Sequence, residues 1–128
     1  EVLVRGKAKG LKSELNSAVT EVNGVNFLAS TIDLDSTDAI KDLAFQMRSE
    51  IDNLFMVLGA EINGKPNLTV VVSENLVKDK GLNAGQIIRD LAKEIQGGGG
   101  GQPFYATAGG KNVAGIPVAL EKAKSFIA

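Results

Sequence analysis

The stretch GGGGGQPFYATAGGKN, residues 97–112, contains seven glycines among its sixteen residues. Glycine loses more backbone freedom on folding than any other residue, so five in a row inside a domain need a physical reason. The phosphate-binding loops of nucleotide sites follow a strand and precede a helix, whereas this run follows a predicted helix and precedes a predicted strand. No Gly-Lys-Ser/Thr follows the run, and no register through it matches G-x-G-x-x-G. Both nucleotide-binding motifs are therefore excluded.

Three interpretations of the glycine run stay open. It is a flexible tether within one domain, a turn that allows close packing, or a row of bare amides that binds an anion, as successive backbone N–H groups do in nests. The second pair, Gly109-Gly110 followed by Lys111, favours the last two interpretations, because it adds another tight backbone segment with a cation beside it.

Strands and helices are predicted on both sides of the run. Asn23-Gly24 is typical of a type I′ hairpin turn, and Asn63-Gly64-Lys65-Pro66 is a second turn signal. Apolar stretches that suit strands cover residues 25–32, 54–62, 68–72 and 104–108. Helices are expected after the N-cap residues Ser36 and Asn83, and Pro117 suits the first turn of a last helix. This order predicts an α/β (α+β) fold, with a mixed sheet of four to five strands and helices packed on it.

Composition limits the chemistry of the 128 residues. The chain has no Cys and no His, which excludes thiolate metal sites, Cys/His zinc sites and histidine acid–base catalysis within it. Its net charge of −1 argues against a general attraction to nucleic acid, but residues 63–128 carry eight basic and five acidic side chains. A polyanion should therefore meet the C-terminal half. No apolar run reaches the length of a membrane span. The sequence starts at Glu1 within what reads as an ongoing helical pattern, so we expect it to be a piece of a longer protein.

The stretch AGQIIRDLAKEIQGGGGGQPFYATAGGK, residues 84–111, resembles the C-terminal domain of alanyl-tRNA synthetases. That family shows a helix of the form A-G-x-L-V-x-x-x-A, a glycine run, then Arg, Lys or Gln, then Pro, a few further residues and A-G-G-K. The segments EVNGVNFLA from Glu21, FMVLGA from Phe55 and NAGQ from Asn83 also occur in the family's order. The resemblance covers residues 19–128, which it identifies as a DHH-associated C-terminal tRNA-binding domain. Residues 1–18 resemble the end of the family's helical connecting segment.

The resemblance implies a cytoplasmic parent enzyme, an ATP-dependent alanine–tRNA ligase that uses Mg-ATP and also holds zinc. None of that machinery is expected here, so the resemblance implies no catalytic residue, metal or cofactor within the chain. It implies that this domain grips the outer corner of tRNA(Ala) and supports aminoacylation and editing. Residues 1–18 are predicted to form a helix with an apolar stripe, through which we expect self-association. No membrane partner is implied.

Residues expected to contact tRNA lie in or near the glycine run. Glycines let the protein backbone approach RNA closely, cations contact phosphates, and Tyr105 could stack on a base. For each cation a solvated surface charge is the alternative, and for Tyr105 it is core packing. The expected set is Lys78, Lys80, Arg89, Lys93, Gly98, Gly99, Gly100, Gly101, Gln102, Tyr105, Gly109, Gly110 and Lys111.

Two other function classes compete with this one. The same domain type occurs in DHH-family phosphoesterases as the nucleic-acid substrate-binding domain, where Gly-Gly-Gly is followed by His-Pro. Gln102 stands at the His position here, which removes a ring that could contact phosphate and disfavours that class. The remaining class is an oligomerisation module.

We expect the isolated chain to be catalytically inert and to bind no zinc tightly, because it contains neither His nor Cys. Elemental analysis of the purified chain should find less than stoichiometric zinc, and alanine-dependent ATP–pyrophosphate exchange should be absent. Stoichiometric zinc, or exchange by the chain alone, would contradict this expectation.

Overall fold

The computed structural model describes residues 17–32 and 36–127, which form a six-stranded mixed sheet with helices on both faces. The strands are β1 (Thr20–Val22), β2 (Val25–Thr31), β3 (Leu54–Ile62), β4 (Lys65–Val72), β5 (Gly98–Gly101) and β6 (Tyr105–Gly109). The helices are α1 (Thr37–Glu50), α2 (Glu74–Lys80), α3 (Ala84–Ala92) and α4 (Ile116–Lys124), with short 3₁₀ turns at Lys93–Ile95 and Val113–Gly115. The helix predicted over residues 1–18 lies outside the described residues, apart from Ser17 and Ala18, which are helical.

The sheet order is β1-β2-β3-β4-β6-β5. Strands β2 and β3 pair in parallel, and α1, the helix expected after Ser36, crosses over the sheet to connect them. The other four pairings are antiparallel. This arrangement confirms the predicted mixed α/β class.

Local signals set the turns and helix starts. Asn23-Gly24 and Asn63-Gly64 all have positive φ, between 53° and 81°, as type I′ turns require. Strand β4 begins directly after the second turn, so the predicted turn over residues 63–66 is shorter than expected. The Ser36 hydroxyl accepts a hydrogen bond from the Ala39 amide at 3.3 Å, and Asn83 Oδ1 accepts one from the Gln86 amide at 3.1 Å. Both predicted N-caps are therefore confirmed.

Two apolar clusters fill the spaces between the sheet and its helices. On one face α1 packs on β2, β3 and β4 through Leu28, Ile40, Leu43, Ala44, Met47, Leu54, Met56, Leu58 and Val71. On the other face α3 and α4 cover the sheet through Phe27, Phe55, Val57, Leu68, Val70, Ile87, Ile88, Leu91, Ala106, Ile116 and Ala119. Because the central strands are covered on both faces, their sequences are apolar almost throughout.

The glycine run forms β5, an edge strand that pairs with β6. Gln102 and Tyr105 close the hairpin by exchanging two backbone hydrogen bonds, of 2.7 and 3.3 Å. The run is therefore a paired strand rather than a flexible tether or a turn, and its glycines allow the close packing that the second interpretation expected. Anion binding by its amides stays a prediction. The predicted sheet of four to five strands lacked this sixth strand.

Alternate glycines of the run have opposite surroundings. A Cβ atom added to Gly97, Gly99 or Gly101 would lie 1.9–2.5 Å from a backbone oxygen of the paired segment. A Cβ added to Gly98 or Gly100 would meet nothing within 4 Å. The close pairing of β5 with β6 therefore requires glycine at every second position.

We expect Gly99→Ala to destabilise the fold by about 1–3 kcal/mol, because the new methyl group would overlap the Thr107 carbonyl. Gly100→Ala is the matched control, and it should change the free energy of unfolding by less than about 1 kcal/mol. Thermal and denaturant unfolding measure both values. Equal losses of stability in the two variants would contradict the alternation.

Candidate nucleic-acid interface

A cavity of about 650 Å³ lies along the outer side of α3. We call it the basic groove. It is lined by Lys80, Gly81, Leu82, Asn83, Gln86, Ile87, Arg89, Asp90, Lys93 and Phe126. Arg89 and Lys93 are four residues apart on α3 and its 3₁₀ extension, so they lie on the same side of the helix. Lys80, the last residue of α2, joins them because the loop after α2 returns the chain to the start of α3.

Positive charge dominates the basic groove. Its lining contains three cations and one carboxylate, Asp90. Asp90 Oδ1 lies 3.7 Å from Lys93 Nζ, but both side chains are largely exposed, and such surface pairs contribute about 0–1 kcal/mol. Lys80 and Arg89 form no ion pair within the part of the chain that the structure describes. These cations are free to meet an external anion.

A second cavity, of about 440 Å³, lies on the opposite face of the sheet. We call it the glycine cleft. The first turns of α1 form one wall, and β4, β6 and the glycine strand form the floor. Its lining is Thr37, Asp38, Ile40, Lys41, Asn67, Leu68, Thr69, Gly98, Tyr105, Thr107, Ala108 and Gly109.

Strand register explains why the cleft exists. One row across the sheet runs Leu58–Thr69–Thr107–Gly100, and the next runs Ala60–Asn67–Gly109–Gly98. In both rows the residue on β3 is apolar, the residues towards the open edge are polar or glycine, and the last residue is glycine. Helix α1 packs on the apolar end of these rows, so the polar and glycine end stays uncovered.

Tyr105 is the aromatic residue of the cleft lining, and it packs against Phe45 of α1. The Phe45 and Tyr105 rings lie 4.9 Å apart between centroids, and Lys41 Nζ lies 5.8 Å from the Phe45 ring. Burial, and secondly the negative charge of Asp38, raise the pKa of the half-buried Tyr105 phenol above its ordinary value of 10.0. Tyr105 therefore packs against the protein itself, with part of its surface left to the cleft.

The two cavities divide the expected contact residues. The basic groove brings together Lys80, Arg89 and Lys93, and the glycine cleft contains Gly98, Tyr105 and Gly109. Gly100 lies in the cleft's row, opposite Thr107. The others line neither cavity: Lys78, Gly99, Gly101, Gln102, Gly110 and Lys111.

Packing explains several of these remaining residues without a ligand. Gly99 and Gly101 lie against β6, and a Cβ on Gly110 would lie 2.2 Å from the Ile95 carbonyl oxygen. The Lys111 amide donates to that same oxygen at 2.9 Å, while its side chain is exposed. Gln102 is exposed at the hairpin end.

The charged and polar residues of the glycine cleft that the sequence did not point to include Asp38, Lys41, Asn67 and Thr69. Thr69 did carry a signal, because it is a polar residue within an apolar strand, between Leu68 and Val70. The other three gave none, since a helix start and a strand start are ordinary places for such side chains. Their position beside the glycines depends on strand pairing between distant segments.

Within residues 17–32 and 36–127, no group of three or more His, Cys, Asp or Glu side chains could hold a metal ion. In the same residues no helix has the length and apolar character needed to cross a bilayer.

Comparison with known proteins gives one family. The family model of the DHHA1 domain matches residues 24–128. An alanine–tRNA ligase of Christiangramia forsetii is 60% identical over 127 residues, and one of Cytophaga hutchinsonii is 48% identical over 121 residues. These alignments cover 99% and 94% of this chain. The chain spans about 14% of the length of each relative.

Among solved structures, the C-Ala domain of Aquifex aeolicus alanyl-tRNA synthetase has the same fold. It superposes with a TM-score of 0.77 at 23% sequence identity. The superposition covers 85% of this chain and 96% of the Aquifex chain.

The single tyrosine of the chain makes the environment of Tyr105 directly measurable. We expect its phenolate absorbance to titrate above pH 10.0 in the folded chain, and near 10.0 in denaturant. Because the folded state favours the neutral phenol, Tyr105 adds to the free energy of unfolding. This contribution is complete below pH 10 and is lost as the pH rises through the pKa of the folded state. Tyr105→Phe should remove that part of the alkaline loss of stability. A folded-state midpoint at or below 10.0 would contradict the burial.

Proposed function

This chain belongs to the DHHA1 domain family, and from that membership we propose that it is the C-terminal tRNA-binding domain of an alanine–tRNA ligase. The names of its relatives support the parent enzyme, a ligase that joins alanine to tRNA and consumes ATP. Within such an enzyme the domain binds the outer corner of tRNA(Ala) and thereby supports aminoacylation and editing. We place the parent enzyme in the cytoplasm.

The basic groove is the observation that carries this proposal. RNA helices are recognised mainly by shape and by contacts to phosphates and sugars. Three cations on one exposed surface, two of them without an ion-pair partner among the described residues, suit such backbone contacts. The overall charge of −1 limits unspecific attraction, so binding depends on this local patch.

The chemistry of the parent reaction lies outside this chain in the proposal. ATP would bring magnesium, and zinc would serve elsewhere in the parent. The residues here do not fit either ion, because the chain has no His or Cys and its described part has no cluster of three acidic ligands. The domain therefore contributes binding energy and position rather than a reacting group. Self-association through residues 1–18 stays a prediction.

The test is the affinity of the chain for tRNA(Ala) at two salt concentrations. We expect the triple variant Lys80→Ala, Arg89→Ala, Lys93→Ala to bind about tenfold more weakly or worse. Each lost phosphate contact should also reduce the slope of log K against log salt by about 0.7–0.9. These side chains are exposed or partly exposed, so the melting temperature should change little.

Lys65→Ala is the matched control, because Lys65 is an exposed lysine on β4 that lines neither cavity. It should leave both affinity and salt slope nearly unchanged. Equal binding by the triple variant and the native chain would contradict the role of the groove. Failure of the native chain to bind tRNA would contradict the proposed function itself.

A further inference from the structure

We infer that the glycine cleft binds a single unpaired nucleobase of the RNA that the domain holds. This inference rests on the proposed function, since it assumes that RNA is the partner, but it concerns a different cavity from the basic groove. The two cavities are lined by different residues and lie on opposite faces of the sheet. They can therefore be tested separately.

Thr69 is the observation that points to a ligand. Only 5% of its surface is exposed, and its hydroxyl forms no hydrogen bond within the part of the chain that the structure describes. Among the described residues, Arg48 Nε is the one fully enclosed side-chain nitrogen or oxygen without a hydrogen-bond partner, so the Thr69 hydroxyl still reaches open space. A polar group of a bound molecule can therefore replace water as the partner of this hydroxyl. Thr69 lines the glycine cleft, so its hydroxyl is available to a molecule bound there.

The floor of the cleft suits a flat ligand. Gly98 and Gly109 contribute peptide backbone without side chains, and a Cβ on Gly98 would meet nothing within 4 Å. Tyr105 presents part of a ring at the wall. A planar base can lie against such surfaces, and stacking of this kind accepts any base. The volume of about 440 Å³ falls in the range of about 300–1,000 Å³ typical of small-molecule sites.

The charges of the cleft favour a base over a phosphate. The first turn of α1 already holds Asp38, whose negative charge lies near the Tyr105 hydroxyl and would repel an anion. The single cation of the lining, Lys41, lies over the Phe45 ring at the side of the cleft. A neutral ligand with N–H groups is the better match, because the Asp38 carboxylate only accepts hydrogen bonds when ionised.

The polar groups of the lining can read the edge of a base. Thr69 can donate and accept, and the Asn67 side chain offers an amide with both functions. Asp38 accepts from the amino or imino N–H groups that bases carry on their pairing edges. Such edges are free only in unpaired nucleotides, which are the usual targets of base-specific recognition in RNA.

The experiment uses two probes, a short single-stranded RNA of mixed sequence and the same sugar–phosphate chain without bases. NMR chemical shifts of the 128-residue chain are followed while each probe is added. We expect the intact RNA to shift the amide signals of Thr69, Gly98 and Thr107, and the base-free chain to leave them unchanged. Both probes should shift the signals of Arg89 and Lys93, because phosphates are present in both.

Two variants separate the cleft from the fold. Thr69→Val keeps the shape of the side chain and removes an unpaired hydroxyl, so it should fold at least as stably as the native chain. It should weaken binding of the intact RNA roughly two- to tenfold. Gly98→Val places a side chain over the cleft floor and should abolish the cleft shifts. Thr20→Val is the matched control, because Thr20 is exposed on β1 at the far edge of the sheet.

The outcomes distinguish the two proposals. The inference is supported if the amide signals of the cleft shift only with the RNA that carries bases. It also requires that Thr69→Val and Gly98→Val reduce these shifts and that Thr20→Val does not. Shifts at Arg89 and Lys93 without any at the cleft overturn the inference and leave the proposed function standing. Equal affinity of folded Thr69→Val and native chains also overturns it. The absence of every shift contradicts RNA binding as a whole.

Discussion

The close approach of two backbones at one edge of the sheet is the constraint on which the rest of the structure depends. At Gly99 a methyl group would lie 2.2 Å from the Thr107 carbonyl oxygen, and at Gly110 it would lie 2.2 Å from the Ile95 carbonyl oxygen. Glycine strand β5, β6 and the end of α3 therefore meet without side chains between them. This contact places α3 over the sheet and leaves its outer side, with the basic groove, facing solvent.

Local chemistry accounts for the parts of the fold that the sequence predicted well. Ser36 and Asn83 cap their helices through their own side chains, and Asn23-Gly24 adopts positive φ at both turn positions. Each of these features depends on residues within a few positions of one another. Strand β3 was likewise predicted with its observed limits, because its first seven residues are buried and leave a continuous apolar signal.

The glycine strand shows where local signals end. Glycine is depleted in strands, because it adds no packing and loses much backbone entropy, so a run of five argues against a strand by propensity. Pairing with β6 overrides that preference, and the pairing is visible only once both strands are placed. The same limit applies to the candidate site. The cations of the basic groove could be selected from charge alone, whereas Asp38 and Asn67 meet only through α1 packing and strand register.

Alternation along the strand explains why the run has no side chain at any position. Gly97, Gly99 and Gly101 are required by β6, because any side chain there would overlap the β6 backbone. Gly98 and Gly100 are free of that requirement, yet they continue the rows that end at the open edge of the cleft. Side chains at these two positions would be tolerated by the fold but would stand over the cleft floor. Packing thus accounts for three of the five glycines, and in our proposal the need for an open, flat surface accounts for the other two.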